Sequence, residues 1–229
     1  MSINNVTSAI FDLDGTLIDS RTGIINGLKD AFLKCGLTIP EGKTIPVGPP
    51  LYDTVISIFP DATEELVEKI AQAFRDAYHR FDLPVSKPFP RIVELLSELK
   101  EYGVKTYVAT YKPKMFSSKI LEKYFKGLYI DVITPTELPS WNDTVHNNCT
   151  KTDIVKFLID KYSIDTDKCF MAGDAITDIE AAHKNNIISI AANYGYGEHL
   201  NFAHYSADTT DELFDIVLNL TGISKKQAV

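Results

Sequence analysis

Carboxylates follow two apolar, β-rich runs in this chain. Asp12 and Asp14, separated by one residue, come directly after residues 6–11, and Asp174 and Asp178 follow a second such run. Short apolar runs of this kind predict buried strands. Because chemistry in open α/β sheets takes place outside the carboxyl ends of the strands, the four carboxylates are predicted to converge at one edge of a sheet.

Cationic and hydroxyl side chains are predicted at the same edge. Thr110 ends another predicted strand and Lys112 follows it, and Lys151 stands at the start of a predicted helix. A lysine and a hydroxyl in such positions could hold the oxygens of a phosphate group, and we assign this role to Lys151 and Thr110.

The first acidic pair has the residue types that phosphoryl transfer needs. Asp12 could attack phosphorus as a nucleophile, and Asp14 could give a proton to the leaving oxygen or take one from water. Gly15 would let free N–H groups approach phosphate oxygens. A hard dication bridging Asp12, Asp174 and a phosphate oxygen would remove the repulsion between carboxylate and phosphate, and oxygen-only ligands favour Mg²⁺.

Simpler interpretations compete with this one. The pattern Asp-x-Asp-Gly occurs in turns and in calcium loops, but Leu17 stands where a calcium loop would need a third oxygen ligand. A turn alone does not explain a second acidic cluster after another strand. Lys151 could still be a solvated lysine at a helix start, and Asp178 could be an acid in the first turn of a helix.

The elements that must position these residues alternate between strand and helix from residue 89 onward. The predicted strands span residues 104–110, 129–134, 168–172 and 187–192, and the predicted helices span residues 92–99, 114–125, 151–162, 176–185 and 210–220. Such alternation is typical of a parallel sheet that is covered by helices on both faces.

A block with helical periodicity interrupts this pattern after the first strand. Its predicted helices span residues 24–35, 52–59 and 62–81. We therefore expect a catalytic core formed by residues 1–20 and 84–229, and an inserted helical cap formed by residues 21–83. The junctions near Ser20 and at residues 83–90 would be the hinges.

The composition argues against several classes of binding partner. The 229 residues carry a formal net charge of −8, which argues against non-specific binding to nucleic acid or to an anionic membrane. Three irregularly spaced cysteines form neither a disulfide framework nor a zinc site. No signal peptide and no apolar stretch of transmembrane length is visible, so we expect a cytoplasmic protein.

With the motifs in place, the chain resembles the haloacid dehalogenase-like hydrolase superfamily. The resemblance is carried by Phe11-Asp12-Leu13-Asp14-Gly15-Thr16-Leu17, by Thr110, by Lys151 and by Gly173-Asp174 with Asp178. It implies an α/β fold with a Rossmann-like parallel sheet core, an inserted helical cap domain and an aspartyl-phosphate intermediate.

The resemblance also implies roles for individual residues. Asp12 resembles the nucleophile and Asp14 the acid/base, and Asp12, the backbone carbonyl of Asp14 and Asp174 resemble ligands of Mg²⁺. Asp178 would lie behind these ligands and help to position them. The phosphate binders would be Thr110 and Lys151, together with Gly15 and Thr16. An acid at position 14 distinguishes the phosphoryl-transfer branch from the dehalogenases, so a phosphatase is favoured.

Further segments resemble phosphoglycolate phosphatase-like members. They are Gly48-Pro49-Pro50-Leu51, Tyr111-Lys112-Pro113 and Tyr194-Gly195-Tyr196-Gly197. Tyr111, Lys112 and Arg21 are candidate substrate contacts, and Trp141 and His146 in the polar stretch at residues 138–150 could approach the site. The expected partner is a small phosphorylated metabolite such as phosphoglycolate. A nucleotide or pyrophosphate hydrolase, a sugar-phosphate mutase and a non-catalytic phosphate-responsive module remain alternatives.

Overall fold

A six-stranded parallel sheet forms the centre of the protein in the computed structural model, which describes residues 5–81, 83–141, 149–197 and 200–223. The sheet order is β5-β4-β1-β6-β7-β8, and each neighbouring pair is parallel. The strands are β1 Ser8–Phe11, β4 Lys105–Ala109, β5 Asp131–Ile133, β6 Cys169–Gly173, β7 Ile188–Ala192 and β8 Tyr205–Ala207.

Helices cover both faces of this sheet. They are α4 Ile92–Glu101, α5 Lys114–Tyr124, α6 Lys151–Tyr162, α7 Ile176–Lys184 and α8 Thr210–Thr221. Successive side chains of a strand point to opposite faces. Phe11 of β1 accordingly lies in an apolar cluster with α4, α5 and α8, while its neighbour Ile10 lies in a cluster with α6 and α7. The predicted α/β fold with a parallel sheet is confirmed.

The strand order determines where a site can form. Strand β1 lies between β4 and β6, and all three run in the same direction. Their carboxyl ends are therefore adjacent, at the point where the order of the strands reverses. Residues that follow these three strands, Asp12, Thr110 and Asp174 among them, are brought to one edge.

Three further helices form a helical block over residues 21–81. They are α1 Arg21–Lys34, α2 Leu51–Ile58 and α3 Glu64–Phe81, and they share an apolar cluster of their own. Helices α1 and α3 approach closely at Gly27, where a Cβ atom would lie 2.8 Å from the ring of Phe74. A two-stranded antiparallel ribbon, β2 Ile18–Asp19 with β3 Lys87–Pro88, joins the two chain segments that enter and leave the block.

Several elements differ from the expectation. Strand β8 and the ribbon β2–β3 were not predicted, because each of these short strands has at most one buried residue and so shows no apolar run. The other boundaries match or shift by up to three residues: α6 spans Lys151–Tyr162 as predicted, whereas α1 begins at Arg21 rather than at residue 24. Among the residues that the structure describes, no helix is long and apolar enough to cross a membrane.

Candidate active site

Asp12 lies directly after β1, with 7% of its surface exposed. Its backbone N–H donates to the carbonyl oxygen of Ala172, which continues the pairing of β1 with β6 by one residue and fixes the direction of the side chain. The N–H of Leu13 donates to the Asp12 carboxylate. Burial raises the pKa of Asp12 to about 6, against the opposing effect of Lys151. A buried carboxylate with so little hydration needs a cation beside it.

Lys151, the first residue of α6, supplies one such cation. Its Nζ lies 2.5 Å from Asp12 Oδ1 and 3.0 Å from the Ala109 carbonyl oxygen, to which it donates. Nζ also lies 3.0 Å from Asp178 Oδ1. Burial alone would lower the pKa of Lys151, but the charges of Asp12 and Asp178 outweigh it and the pKa is raised. With only 3% of its side chain exposed, Lys151 is not a solvated residue at a helix start.

Asp178 serves two partners at once. Its Oδ2 accepts from the N–H of Ala175 at 3.0 Å, which caps the N-terminus of α7, and its other oxygen faces Lys151. The two interpretations of Asp178 drawn from the sequence are therefore compatible. Gly173 is required here, because a Cβ atom at that position would collide with the Asp178 side chain.

Asp174 is the third buried carboxylate. Its Oδ2 accepts from the backbone N–H of Tyr196 at 2.7 Å, and its Oδ1 accepts from the Thr16 hydroxyl at 3.3 Å. Burial raises its pKa well above the usual value, and the charges of Asp12 and Asp178 raise it further. Gly15 has φ of +87° and faces the Asp174 carboxylate. Any side chain at this position would strain the backbone and collide with Asp174.

The three carboxylates fit a divalent cation. Oxygens of Asp12, Asp174 and Asp178 lie within 4.8 Å of one another. Lys151 balances one of the three negative charges, and the two that remain are equal in magnitude to the positive charge of Mg²⁺. The donor set consists of oxygens only, as Mg²⁺ prefers. The side chain of Asp14 is not part of this cluster, so a contribution from Asp14 would come from its backbone carbonyl.

Asp14 belongs to a different network. Its Oδ1 accepts from Lys112 Nζ at 2.9 Å and from the Ser20 hydroxyl at 2.5 Å. Lys112 is itself anchored, because its backbone N–H donates to the Thr110 hydroxyl at 3.1 Å. With 17% of the Asp14 side chain exposed, its carboxylate is accessible from the cavity that it lines.

Two predicted phosphate binders are placed differently from the expectation. The N–H of Gly15 is not free, since it donates to the carbonyl oxygen of Ile18 at 2.9 Å in a tight turn. Thr16 is fully buried, and its hydroxyl donates to Asp174. Both residues are absent from the described lining of the cavity. Their assignment as phosphate binders stays a prediction.

The structure also places the candidate substrate contacts. Tyr111 and Lys112 line the cavity, and so does Trp141. The Tyr111 hydroxyl accepts from the N–H of Lys151 at 2.7 Å, which fixes the start of α6. Arg21 lies elsewhere, with its guanidinium 4.7 Å from the centre of the Tyr196 ring. His146 lies outside the described residues.

Tyr196 is a positioning residue whose role the sequence did not reveal. Its hydroxyl accepts from the backbone N–H of Ser20 at 2.6 Å and of Arg21 at 2.9 Å. It lies 3.0 Å from Asp19 Oδ1, to which it can donate. Because the Ser20 hydroxyl is directed to Asp14, the tyrosine caps α1 in its place. Tyr196 thus links the loop after β7 to the start of the helical block.

Tyr196→Phe is expected to lower stability and activity together. The N–H of Ser20 would lose its acceptor, and the N–H of Arg21 would keep only its longer contact of 3.3 Å with Asp19 Oδ1, at a total cost of about 1–2 kcal/mol. For a chain of this size that is a fall in Tm of roughly 2–8 °C. We expect a fall in kcat/KM as well, since Ser20 also holds Asp14. Tyr205→Phe, at an exposed tyrosine of β8, is the matched control, and equal behaviour of the two variants in thermal unfolding would contradict the role.

Known proteins resemble this chain over most of its length. The pattern of the haloacid dehalogenase-like hydrolase family matches residues 9–192. A 5'-nucleotidase from Pseudomonas aeruginosa is 28% identical over 211 residues, which cover 87% of this chain and 90% of that protein. A phosphoglycolate phosphatase from Vibrio parahaemolyticus is 26% identical over 232 residues, which cover 95% and 98% of the two.

A solved structure has a fold similar to that of this chain. The crystal structure of a predicted phosphatase from Clostridium acetobutylicum superposes with a TM-score of 0.82 at 30% sequence identity. The match covers 95% of this chain and 100% of that chain.

Proposed function

The chain belongs to the haloacid dehalogenase-like hydrolase family, and from this premise we propose that it is a Mg²⁺-dependent phosphatase that hydrolyses a small phosphate monoester through an aspartyl phosphate on Asp12. The observation that carries the proposal is the pairing of two carboxylates with two different lysines. Lys151 holds Asp12, and Lys112 holds Asp14. In this proposal Asp12 acts as the nucleophile and Asp14 acts as the acid and base.

The first step forms one bond and breaks another. An oxygen of Asp12 attacks phosphorus, the P–O bond to the leaving alcohol breaks, and Asp14 gives a proton to the departing oxygen. Lys151 contacts the attacking carboxylate and balances charge on the phosphoryl group, and the Thr110 hydroxyl at the end of β4 can donate to a phosphate oxygen. The product is a phosphate ester of the Asp12 carboxyl group.

The second step returns the enzyme to its starting state. Asp14, now deprotonated, takes a proton from a water molecule as that water attacks the phosphorus of the aspartyl phosphate. Inorganic phosphate leaves, and Asp12 becomes a carboxylate again beside Lys151. Lys112 and Ser20 keep Asp14 oriented through both proton transfers.

Mg²⁺ would be held by Asp12, Asp174 and the carbonyl of Asp14, where it would neutralise the charge of the carboxylates and the phosphate. Asp178 would hold Lys151 rather than the ion. The helical block would serve as the cap that excludes bulk water and contacts the organic part of the substrate. The helical block has an apolar cluster of its own, and the two-stranded ribbon β2–β3 joins the chain segments that enter and leave it. Both features support that role.

The test of the proposed function is hydrolysis of p-nitrophenyl phosphate and of a broad panel of phosphate monoesters by the purified protein with Mg²⁺. We expect release of inorganic phosphate from the generic ester and from at least one member of the panel. Turnover of none of them would refute the phosphatase.

Mg²⁺ is expected to stabilise the protein as well as to activate it. At a concentration 100 times its Kd, a bound ion contributes about 2.7 kcal/mol to the free energy of unfolding. This corresponds to a rise in Tm of roughly 5–10 °C. Asp174→Asn should remove the rise, whereas Asp61→Asn, at an exposed turn, should retain it. Chelation with EDTA should abolish hydrolysis. If neither Tm nor activity changed with Mg²⁺ or with EDTA, a functional Mg²⁺ site would be excluded.

A further inference from the structure

A cavity of about 310 Å³ extends from the catalytic carboxylates into the helical block. Asp12 and Asp14 lie at one end, and residues of α1, α2 and α3 form the other. Cavities of this size bury ligands with many more atoms than a phosphate group. The cavity therefore has room for a substantial organic group attached to the phosphate.

The wall that such a group would contact is mostly apolar and aromatic. Five aromatic rings line it. They are Tyr52, Phe74, Tyr111, Phe116 and Trp141. Two belong to the helical block and three to the core segments that face it, so rings are available on both sides of a bound ligand.

Charge is concentrated at the catalytic end. Apart from the carboxylates and the two lysines of the site, Arg75 is the charged group among the described residues that line the cavity. Arg75 is already engaged in solvent-exposed contacts, at 3.3 Å from Glu68 Oε1 and 3.1 Å from Gln72 Oε1. Lys112 is paired with Asp14. A carboxylate on the organic part of a substrate would lose its hydration against this wall without gaining a dedicated cation.

We propose that the cavity binds the organic part of a phosphate monoester that is uncharged and carries a planar ring, with nucleoside 5'-monophosphates as the natural class. This proposal rests on the proposed phosphatase function and specifies its substrate. Stacking of a ring on an aromatic side chain is favourable for any planar base. A two-carbon acid such as phosphoglycolate would leave most of the cavity filled with water and would place its carboxylate beside apolar side chains.

The decisive comparison uses esters of primary alcohols, so that leaving-group chemistry stays nearly constant. Benzyl phosphate and uridine 5'-monophosphate carry a ring, ethyl phosphate carries none, and phosphoglycolate carries a carboxylate instead. We expect kcat/KM for at least one ring-bearing ester to exceed that for ethyl phosphate by about 10-fold or more. Phosphoglycolate should rank below both ring-bearing esters.

The possible failures can be told apart. If no ester is hydrolysed, the proposed function fails. If the esters are hydrolysed but phosphoglycolate or ethyl phosphate equals or exceeds both ring-bearing esters, the phosphatase stands and the substrate proposal is overturned.

A variant tests whether the cavity causes the preference. Phe74→Ala should bring the ratio of kcat/KM for benzyl and ethyl phosphate towards one, with most of the change in KM for benzyl phosphate. Phe202→Ala, at an exposed phenylalanine outside the helical block and outside the described lining of the cavity, should leave the ratio unchanged. An unchanged ratio in a folded Phe74→Ala protein would contradict the assignment.

A binding measurement avoids dependence on turnover and on the folding of Phe74→Ala. Trp141 is the only tryptophan of the chain and lines the cavity, so its fluorescence reports on the bound organic group. In an Asp12→Asn background, uridine 5'-monophosphate should quench this fluorescence saturably, and inorganic phosphate should not. The absence of any saturable change with the nucleotide would count against the proposal.

Discussion

Asp12→Asn is expected to lower kcat for p-nitrophenyl phosphate by at least about 10⁴-fold, because it replaces the attacking carboxylate with an amide, whose oxygen is a far poorer nucleophile. An amide in the same place keeps the size and most contacts of the side chain. It cannot form the acyl phosphate through which the proposed reaction proceeds. Steady-state release of p-nitrophenol measures the loss directly.

The loss must be separated from damage to the fold. Asp12 and Asp178 both pair with Lys151, and Asp174 adds a third buried carboxylate beside them, so removing one charge should not weaken the metal-free protein. We expect the Tm of Asp12→Asn without Mg²⁺ to equal or exceed that of the wild type. Asp160→Asn, at an exposed pair with Lys156, is the matched control and should retain activity. Residual turnover within tenfold of the wild type would exclude Asp12 as the nucleophile.

The convergence of the acidic residues was predictable because it depends on a general rule. In a parallel sheet the carboxyl ends of neighbouring strands meet, and each carboxylate follows its strand within a few residues. Asp12 and Asp174 therefore had to lie near one another once β1 and β6 were recognised as neighbours. Lys151 was harder to assign, since a lysine at a helix start is usually solvated, and only its burial distinguishes the two cases.

The contacts of Ser20 and Tyr196 could not have been predicted from local rules. A serine before a helix is expected to cap it with its own hydroxyl. Here the hydroxyl donates to Asp14, and a tyrosine 176 positions away caps the helix. The repeated Tyr-Gly pattern at residues 194–197 was the visible signal, but nothing in its spacing indicates the partner.

The turn after Asp14 shows a similar limit. The sequence suggested that glycine would expose N–H groups to a phosphate. In the structure the N–H of Gly15 closes a turn, and its missing side chain makes room for Asp174. Both roles require glycine, so residue type alone cannot separate them.

Asp14→Asn is expected to slow the two chemical steps by different amounts. Asp14 protonates the leaving alcohol and later deprotonates water, and each contribution of this kind is worth about 10²–10⁴-fold. p-Nitrophenolate leaves without a proton, so the first step should persist with this substrate while hydrolysis of the aspartyl phosphate is slowed. Stopped-flow measurement should show a burst of about one p-nitrophenolate per chain, followed by slow turnover. With ethyl phosphate both steps should be slow.

The burst distinguishes a catalytic Asp14 from one that merely stabilises the site. Intact mass measured after the burst should show one added phosphoryl group, and Asp12→Asn should show neither burst nor adduct. Ser20→Ala removes the hydroxyl that Asp14 accepts from but leaves the carboxylate in place, so it should give the same changes to a smaller degree. If activity towards both esters fell equally and no burst appeared, Asp14 would instead act in substrate binding. Because Lys112 and Ser20 both hold Asp14 in a network separate from that of Asp12, the two carboxylates can be probed independently.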